Sequence, residues 1–390
     1  MYYFDYNATA PLHPLAAEAW QVAQMQHWHN PGGPYGAGMR VRQALESARA
    51  QLATFLEADT PESIIFTSGA TEGNNALFSH VAHSSPADAR VIVSAIEHPS
   101  VMEAARASFQ DRMDILPVDP SGVVRLESLR SLVRKQTVLV SVMAANNETG
   151  VIQPWREMHQ LCRGLAVPFH TDASQWLGKL PAAGLGWCDY VTGCGHKFGG
   201  PKGVGFIKIS GNTAHVDRLP FHGFRGGPQE HGYRAGTENY PAISAMLAAL
   251  DSREKWMQAG GAETQSALHD VFSLKLQAAF PSAVLHGAYA AGLWNTFSLA
   301  MPLAHNTRWV ALLDKAGFAV STGAACATGK TGPSPVLIAM GVPNECAQRT
   351  IRISAGWDAT ASAYESLLEA LLAIHATLAA DPSESSVVDI

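Results

Sequence analysis

The sequence predicts an α/β protein: a mostly parallel sheet covered by helices, followed by a smaller α+β domain. Three observations carry this. Apolar, β-branched runs alternate with helical stretches up to residue 209, which implies parallel strands joined by crossover helices. The alternation stops after Asn239, where a long helical stretch precedes a few isolated strand-like runs. The chain has 390 residues, 47% of them hydrophobic and 15% charged, enough for a large core and for two domains.

Strands are expected, in order, at 63–67, 90–94, 138–143, 167–171, 190–192 and 204–209. Each is a short run containing Val, Ile, Phe, Tyr or Thr, residues that suit a pleated, buried surface. Helices are expected between them at 39–56, 74–82, 99–109 and 126–134. Beyond Asn239 a helical region spans 240–279. Strands follow at 296–300 and 317–321, then a helix at 336–340 and a strand at 350–354. The apolar segment 367–380 carries Glu369 and His375 and reads as an amphipathic helix. Residues 381–390 are polar and are expected to fray.

Charge and cysteine content argue against several functions. The net charge is 27 − 33 = −6, with no basic block or stripe to hold nucleic acid. No stretch approaches the roughly 18 apolar residues of a membrane span. The opening Met1-Tyr-Tyr-Phe-Asp-Tyr6 lacks the basic-then-apolar order of a signal peptide. The five cysteines, Cys162, Cys188, Cys194, Cys326 and Cys346, are odd in number and widely spaced, with no Cys-x-x-Cys. That pattern fits a reducing cytoplasm better than a disulfide framework, and it offers no metal site.

Five segments carry chemistry. In Gly193-Cys-Gly-His-Lys-Phe-Gly-Gly200, glycines surround Lys197 between two apolar runs. A lysine desolvated there becomes a nucleophilic amine, which a Schiff base to an aldehyde cofactor requires. Thr67-Ser-Gly-Ala-Thr-Glu72 follows a strand and opens a helix, so free N–H groups near Ala70 and Thr71 can seat a phosphate. Read alone, the segment serves equally well as an ordinary capped helix. Asp172 closes the strand 167–171 at the edge where open α/β sheets bind ligands. A buried carboxylate there needs a cation, which a protonated pyridine nitrogen would supply. Read alone, it is more simply a turn residue. His98, in Ile96-Glu-His-Pro-Ser100, can stack on a planar ring and move protons near neutral pH. Asn146-Asn-Glu-Thr-Gly150 offers amide donors to a ring hydroxyl. Together the five describe a pyridoxal phosphate site.

The chain resembles the class V aminotransferase-like enzymes of fold type I, and more narrowly the cysteine desulfurases of the NifS/IscS type. The matching segments also include Asp5-Tyr-Asn-Ala-Thr-Ala-Pro11, Asp172-Ala-Ser-Gln175, Arg234-Ala-Gly-Thr-Glu-Asn239, Ser321-Thr-Gly-Ala-Ala-Cys326 and Ile351-Arg-Ile-Ser354. They run in the expected order to about position 357. The resemblance implies a mainly parallel seven-stranded sheet in a large domain, 15–255. A small domain, 1–14 plus 256–380, would carry the cysteine loop. It implies a homodimer that binds pyridoxal 5′-phosphate. Lys197 would carry the cofactor and move protons at the substrate Cα. Ala70, Thr71, Cys194 and His196 would hold the phosphate, with Thr237 reaching in from the other subunit. Asp172 would pair with the ring nitrogen, Gln175 and Asn147 would contact the ring oxygen side, and His98 would stack on the ring. Asn147 and Arg352 would bind the substrate, Arg352 by its carboxylate.

Cys326 selects the reaction that the resemblance implies. It lies in a glycine-rich, small-residue segment that reads as a mobile loop. Its thiolate would take the sulfur of L-cysteine as a persulfide, release alanine, and pass the sulfur to an iron–sulfur scaffold or another sulfur-acceptor protein. His98 is the candidate for proton traffic at the substrate thiol. A selenocysteine lyase or an aminotransferase is the alternative, although a transaminase has no use for the loop cysteine. The chain departs from the family at Cys194, where serine is usual, at Pro228 for glycine and at Trp357 for arginine. It also lacks a histidine often found in the loop 30–36. The Cys194 thiol, a weaker donor, predicts looser phosphate binding.

Overall fold

The structure, a computed structural model, describes residues 1–210, 224–323 and 332–380. Its strands are β1 (Tyr2–Tyr3), β2 (Ile64–Thr67), β3 (Arg90–Ser94), β4 (Met113–Leu116), β5 (Thr137–Ser141), β6 (Phe169–Asp172), β7 (Tyr190–Cys194), β8 (Gly205–Ile209), β9 (Val284–Leu285), β10 (Thr296–Ala300), β11 (Phe318–Ala319) and β12 (Thr350–Ser354). Seven of them form one sheet in the order β2-β8-β7-β6-β5-β3-β4. Only β8 runs antiparallel to its neighbours; the other pairings are parallel. The expected mainly parallel, helix-covered sheet is therefore present.

Burial explains why these runs are strands. Val91, Ile92 and Val93 are all fully buried. A strand covered on both faces reads as continuous apolar residues rather than as an alternation. Each such side chain contributes about 1.5–3 kcal/mol of transfer free energy. The edge strand β4 was not expected from the sequence. Its Met-Asp-Ile-Leu is only partly buried, and Asp114 serves as the ion-pair partner of Arg90.

Helices fill the connections. Pro99–Phe109 matches its expected bounds, with His98 as its cap and Pro99 in its first turn. The region expected as one helix over 240–279 is two, Tyr240–Gln258 and Gly261–Ala279, broken at Gly260. Gly260 has φ 83°, a left-handed value that glycine adopts without penalty. The helices Pro14–Gln26 and Trp155–Gly164 were not among the expected elements.

A second sheet, β12-β10-β9, is antiparallel, and β1 pairs in parallel with β11. Its apolar cluster includes Phe4, Phe272, Phe297, Trp309, Ile353 and Leu367. Helix Ala361–Ala380 contributes Tyr364, Leu367, Leu371, Ile374 and Leu378, one face at three- and four-residue spacing. The N-terminal residues thus join strands more than 300 positions away in sequence. Phe4 and Ser354 hydrogen-bond through their backbones.

Candidate active site

The carboxyl ends of β2, β3, β5, β6 and β7 open onto one cavity of about 480 Å³. Five of the parallel strands end at this edge, so each following loop or helix start points a side chain at the same space.

Beyond β2, helix Ala70–Ser84 begins at the cavity without a side-chain cap on Gly69, and Ser68, Ala70 and Thr71 line the wall. The Ala70 N–H meets the Cys194 thiol, and the N–H groups that follow it in the first turn are available to an anion. Gly205 allows this closeness. A Cβ there would lie 2.6 Å from Gly69 Cα and 2.5 Å from Gly193 O. The Glu72 carboxylate in the first turn is taken up by other partners, accepting from Ser68 N and pairing with Arg234. Burial pushes Glu72 up, but those partners outweigh it and hold it below the usual range.

Beyond β3, the His98 Nδ1 accepts from Ser100 N at 3.1 Å and faces Ser100 Oγ at 2.8 Å. Burial lowers its pKa; Asp172 pulls it up and Lys197 pushes it down. Beyond β5, Asn146 and Asn147 take different jobs. Asn146 is fully buried and its Oδ1 accepts from Glu148 N and Thr149 N, so it builds the turn. Asn147 lines the cavity.

Asp172 ends β6. Its Oδ2 accepts from Asn74 Nδ2 at 3.0 Å and its Oδ1 from Ser174 N at 2.9 Å. Both donors are neutral, and the group is 5% exposed. Gln175 Nε2 donates to Asn7 O, and its Oε1 accepts from Lys179 Nζ, an amine whose pKa burial pushes well down. Cys194 ends β7, buried at the wall. Burial raises its thiol pKa and Lys197 opposes the rise. His196 Nδ1 lies 3.2 Å from Thr9 Oγ1, and burial beside Lys197 and Lys202 lowers its pKa to about 4. Lys197 Nζ donates to Asn7 O at 2.6 Å and Ala8 O at 2.9 Å.

Arg352 enters from β12. Its Nη2 donates to Asp5 Oδ1 at 2.6 Å and its Nη1 to Asn147 O and Gly323 O. Its Nε is buried without a partner.

The cavity therefore gathers Ala70, Thr71, His98, Asn147, Asp172 and Gln175, together with Cys194, His196, Lys197 and Arg352. Thr237 lines a separate cavity that shares Ser68 and Gly203 with the first. Cys326 lies outside the described residues. Among the described residues no cluster of His, Cys, Asp or Glu could hold a metal ion.

Sequence reasoning did not single out Asn7, Asn74 or Lys179. Asn7, 1% exposed, accepts from Lys179 Nζ and Asn295 Nδ2 and donates to Asn147 O and Thr296 Oγ1. The only signal for it was its place in the N-terminal motif. Trp357 is buried, donates to Gly178 O at 2.7 Å and lies beneath the Arg253 guanidinium at 3.6 Å. It is a packing residue joining the two sheets' surroundings.

The Aminotransferase class-V family matches residues 2–367. A cysteine desulfurase of Cereibacter sphaeroides is 34% identical, across 95% of this chain and 94% of its own length. Cysteine desulfurase IscS of Dictyoglomus turgidum is 35% identical, across 91% and 89%. A solved structure described as a NifS-like protein superposes with a TM-score of 0.87 at 32% identity, covering 96% of this chain and 99% of that one. The chain belongs to the class V aminotransferase family, and within it to the cysteine desulfurases.

Proposed function

We propose that the protein is a pyridoxal phosphate-dependent cysteine desulfurase that converts L-cysteine to L-alanine and a persulfide on Cys326. The observation that carries the reading is the meeting of Lys197, Asp172 and Arg352 on one cavity, in a chain of this family.

The residues fit pyridoxal phosphate. The uncapped start of helix Ala70–Ser84 suits its phosphate. Asp172, buried among neutral donors, suits a protonated ring nitrogen. The buried Ser174 Oγ has the Cys194 thiol as its neighbour at this wall. When bound, the cofactor supplies an electron sink for charge at the substrate Cα.

The remaining chemistry belongs to the chain. Arg352 binds the substrate carboxylate, a task its planar fork suits. Lys197 takes the Cα proton and returns it. The Cys326 thiolate attacks the substrate sulfur. A sulfur–sulfur bond forms, the carbon–sulfur bond breaks with its electrons left on the carbon side, and protonation of that carbon completes alanine.

We further propose a large domain over 15–255 and a small one over 1–14 plus 256–380. The reading includes a homodimer in which Thr237 serves the partner's phosphate site, a cytoplasmic location, and delivery of sulfur to an iron–sulfur scaffold or another acceptor. Selenocysteine lyase and aminotransferase activity are not favoured, because the curated relatives are cysteine desulfurases. Among the described residues no helix is long and apolar enough to cross a membrane.

The test is incubation of purified protein with L-cysteine and a reductant, following alanine, sulfide and the visible spectrum together. Equal alanine and sulfide from a yellow protein is expected. A protein that stays colourless with added cofactor overturns the reading.

A further inference from the structure

Behind the cavity runs a chain of hydrogen bonds whose every proton position follows from its neighbours. The Asp172 carboxylate only accepts, so the 3.0 Å contact with Asn74 places the amide NH2 toward Asp172. The same NH2 reaches Ser100 Oγ at 2.9 Å. Asn74 Oδ1 must then be the acceptor for Thr192 Oγ1 at 2.7 Å. Thr192, having spent its proton, accepts from His170 Nε2 at 3.1 Å, and His170 Nδ1 accepts from Ser141 Oγ at 2.8 Å. Asn74, Thr192, His170 and Ser141 are all fully buried.

The other end of the chain fixes His98. A backbone N–H can only donate, so the Ser100 N contact requires an unprotonated His98 Nδ1. Ser100 Oγ, already accepting from Asn74, turns its own proton toward the same nitrogen. A proton on Nδ1 would face two donors. The neutral ring therefore carries its hydrogen on Nε2, for which no partner is found among the described residues, while His98 lines the cavity.

We propose that Asn74 and Ser100 are positioning residues that hold His98 as the neutral Nε2–H tautomer, so that His98 serves the cavity as a fixed hydrogen-bond donor and not as a base. This rests on the desulfurase reading for its chemical meaning. A neutral imidazole N–H stabilises negative charge that develops beside it, such as that on the substrate thiolate sulfur. Proton removal then falls to Lys197. The groups facing His98 agree with a neutral ring: burial and Lys197 disfavour the imidazolium, and only Asp172 favours it.

Neutron diffraction from crystals of the perdeuterated full-length protein reads the protons directly. Deuterium on His98 Nε2 and none on Nδ1 is expected. Deuterium on Nδ1 overturns the proposal. The map does not depend on the activity: a protein inert toward L-cysteine but with the expected tautomer refutes the desulfurase reading alone. An active enzyme with deuterium on Nδ1 refutes this inference alone. NMR titration of the His98 ring supplies a second arm. Ser100→Ala removes one donor to Nδ1, so the imidazolium becomes easier to form. The ring's titration midpoint should move up by about 0.5–1 pH unit, and Ser100→Thr should restore it. An unmoved midpoint in Ser100→Ala overturns the role of the Ser100 hydroxyl.

Discussion

The two sides of the cavity are built by different means. On the side of Asp172 and His98, the residues come from neighbouring strand ends of one sheet and the helices that follow them. Their hydrogen bonds run through neutral groups: Asn74, Ser100, Thr192 and His170. On the side of Arg352, the residues come from remote parts of the chain and are held against the N-terminal segment. Arg352 pairs with Asp5 at 2.6 Å, and the buried Lys179 bonds Asn7 at 2.9 Å. The first side is a preset scaffold in which Asp172, Asn74, Ser100, Thr192 and His170 bond one another. The second is a charged socket in which an incoming carboxylate meets a guanidinium already shared with an internal one.

Lys197 stands where the two sides meet, with its ammonium on the carbonyls of Asn7 and Ala8. Its removal gives the largest expected effect. Lys197→Ala should cut alanine formation by roughly 10⁴-fold and abolish the covalent cofactor band in the visible spectrum. Near-normal turnover in that variant would remove the reading of both sides at once.

Arg352 separates the sides. Arg352→Ala should lower kcat/KM for L-cysteine by about 10²-fold or more, because two charge-assisted hydrogen bonds are lost. The cofactor spectrum should survive, since the opposite wall is untouched. The variant also leaves Asp5 unpaired, so the urea midpoint should fall. Arg352→Lys should recover little, because one ammonium cannot serve Asp5 and a substrate carboxylate together. A spectrum lost along with kcat/KM would show that the two sides are not independent.

The same division explains what was legible in the sequence. Asp172, His98, Asn147 and Lys197 each sit in a local motif at a strand end, so their chemistry could be read from a few adjacent residues. Asp5 and Asn7 sit in the N-terminal motif, which does not say what they contact, and Lys179 sits in none. Asp5 acts through a residue 347 positions away and Lys179 through one 172 positions away. Only the fold creates those pairs. The fold divides likewise. β3, β10, β12 and helix Pro99–Phe109 have dense apolar runs or a proline-marked start and occupy their expected bounds. β4 is a half-exposed edge strand, and helix Pro14–Gln26 exposes Leu15, Val22 and Met25, so neither has the periodicity that marks a buried element.

A pH experiment sharpens the contrast from the scaffold side. Glu97 Oε1 accepts from Ser94 Oγ at 2.6 Å and Met143 N at 2.7 Å, while its Oε2 is buried without a partner. Burial, with Asp172 adding to it, pushes its pKa from 4.5 to about 8. The folded chain then holds a proton that the unfolded chain releases above about pH 4.5. Folding stability must fall as pH rises through that window, by an amount on the order of a few kcal/mol. Glu97→Gln, which cannot ionise, should flatten the decline between pH 5 and 8 in urea denaturation. An unchanged slope would assign the decline to another group.

The smallest effect tests how much of the scaffold's grip lies in side chains. Cys194 occupies the wall at the start of helix Ala70–Ser84, where its sulfur meets the Ala70 N–H, with its thiol kept protonated by burial. A thiol is a weak donor, whereas the helix N–H groups and the Ser174 hydroxyl are strong ones. Cys194→Ser should therefore tighten pyridoxal phosphate by only about 3–10-fold, the worth of one neutral hydrogen bond. Fluorescence titration of the cofactor-free protein measures it. A larger gain would mean that the side chain, not the helix start, dominates the anion seat. Equal dissociation constants would mean that the backbone holds the phosphate alone, and that the exchange of serine for cysteine here has no binding consequence.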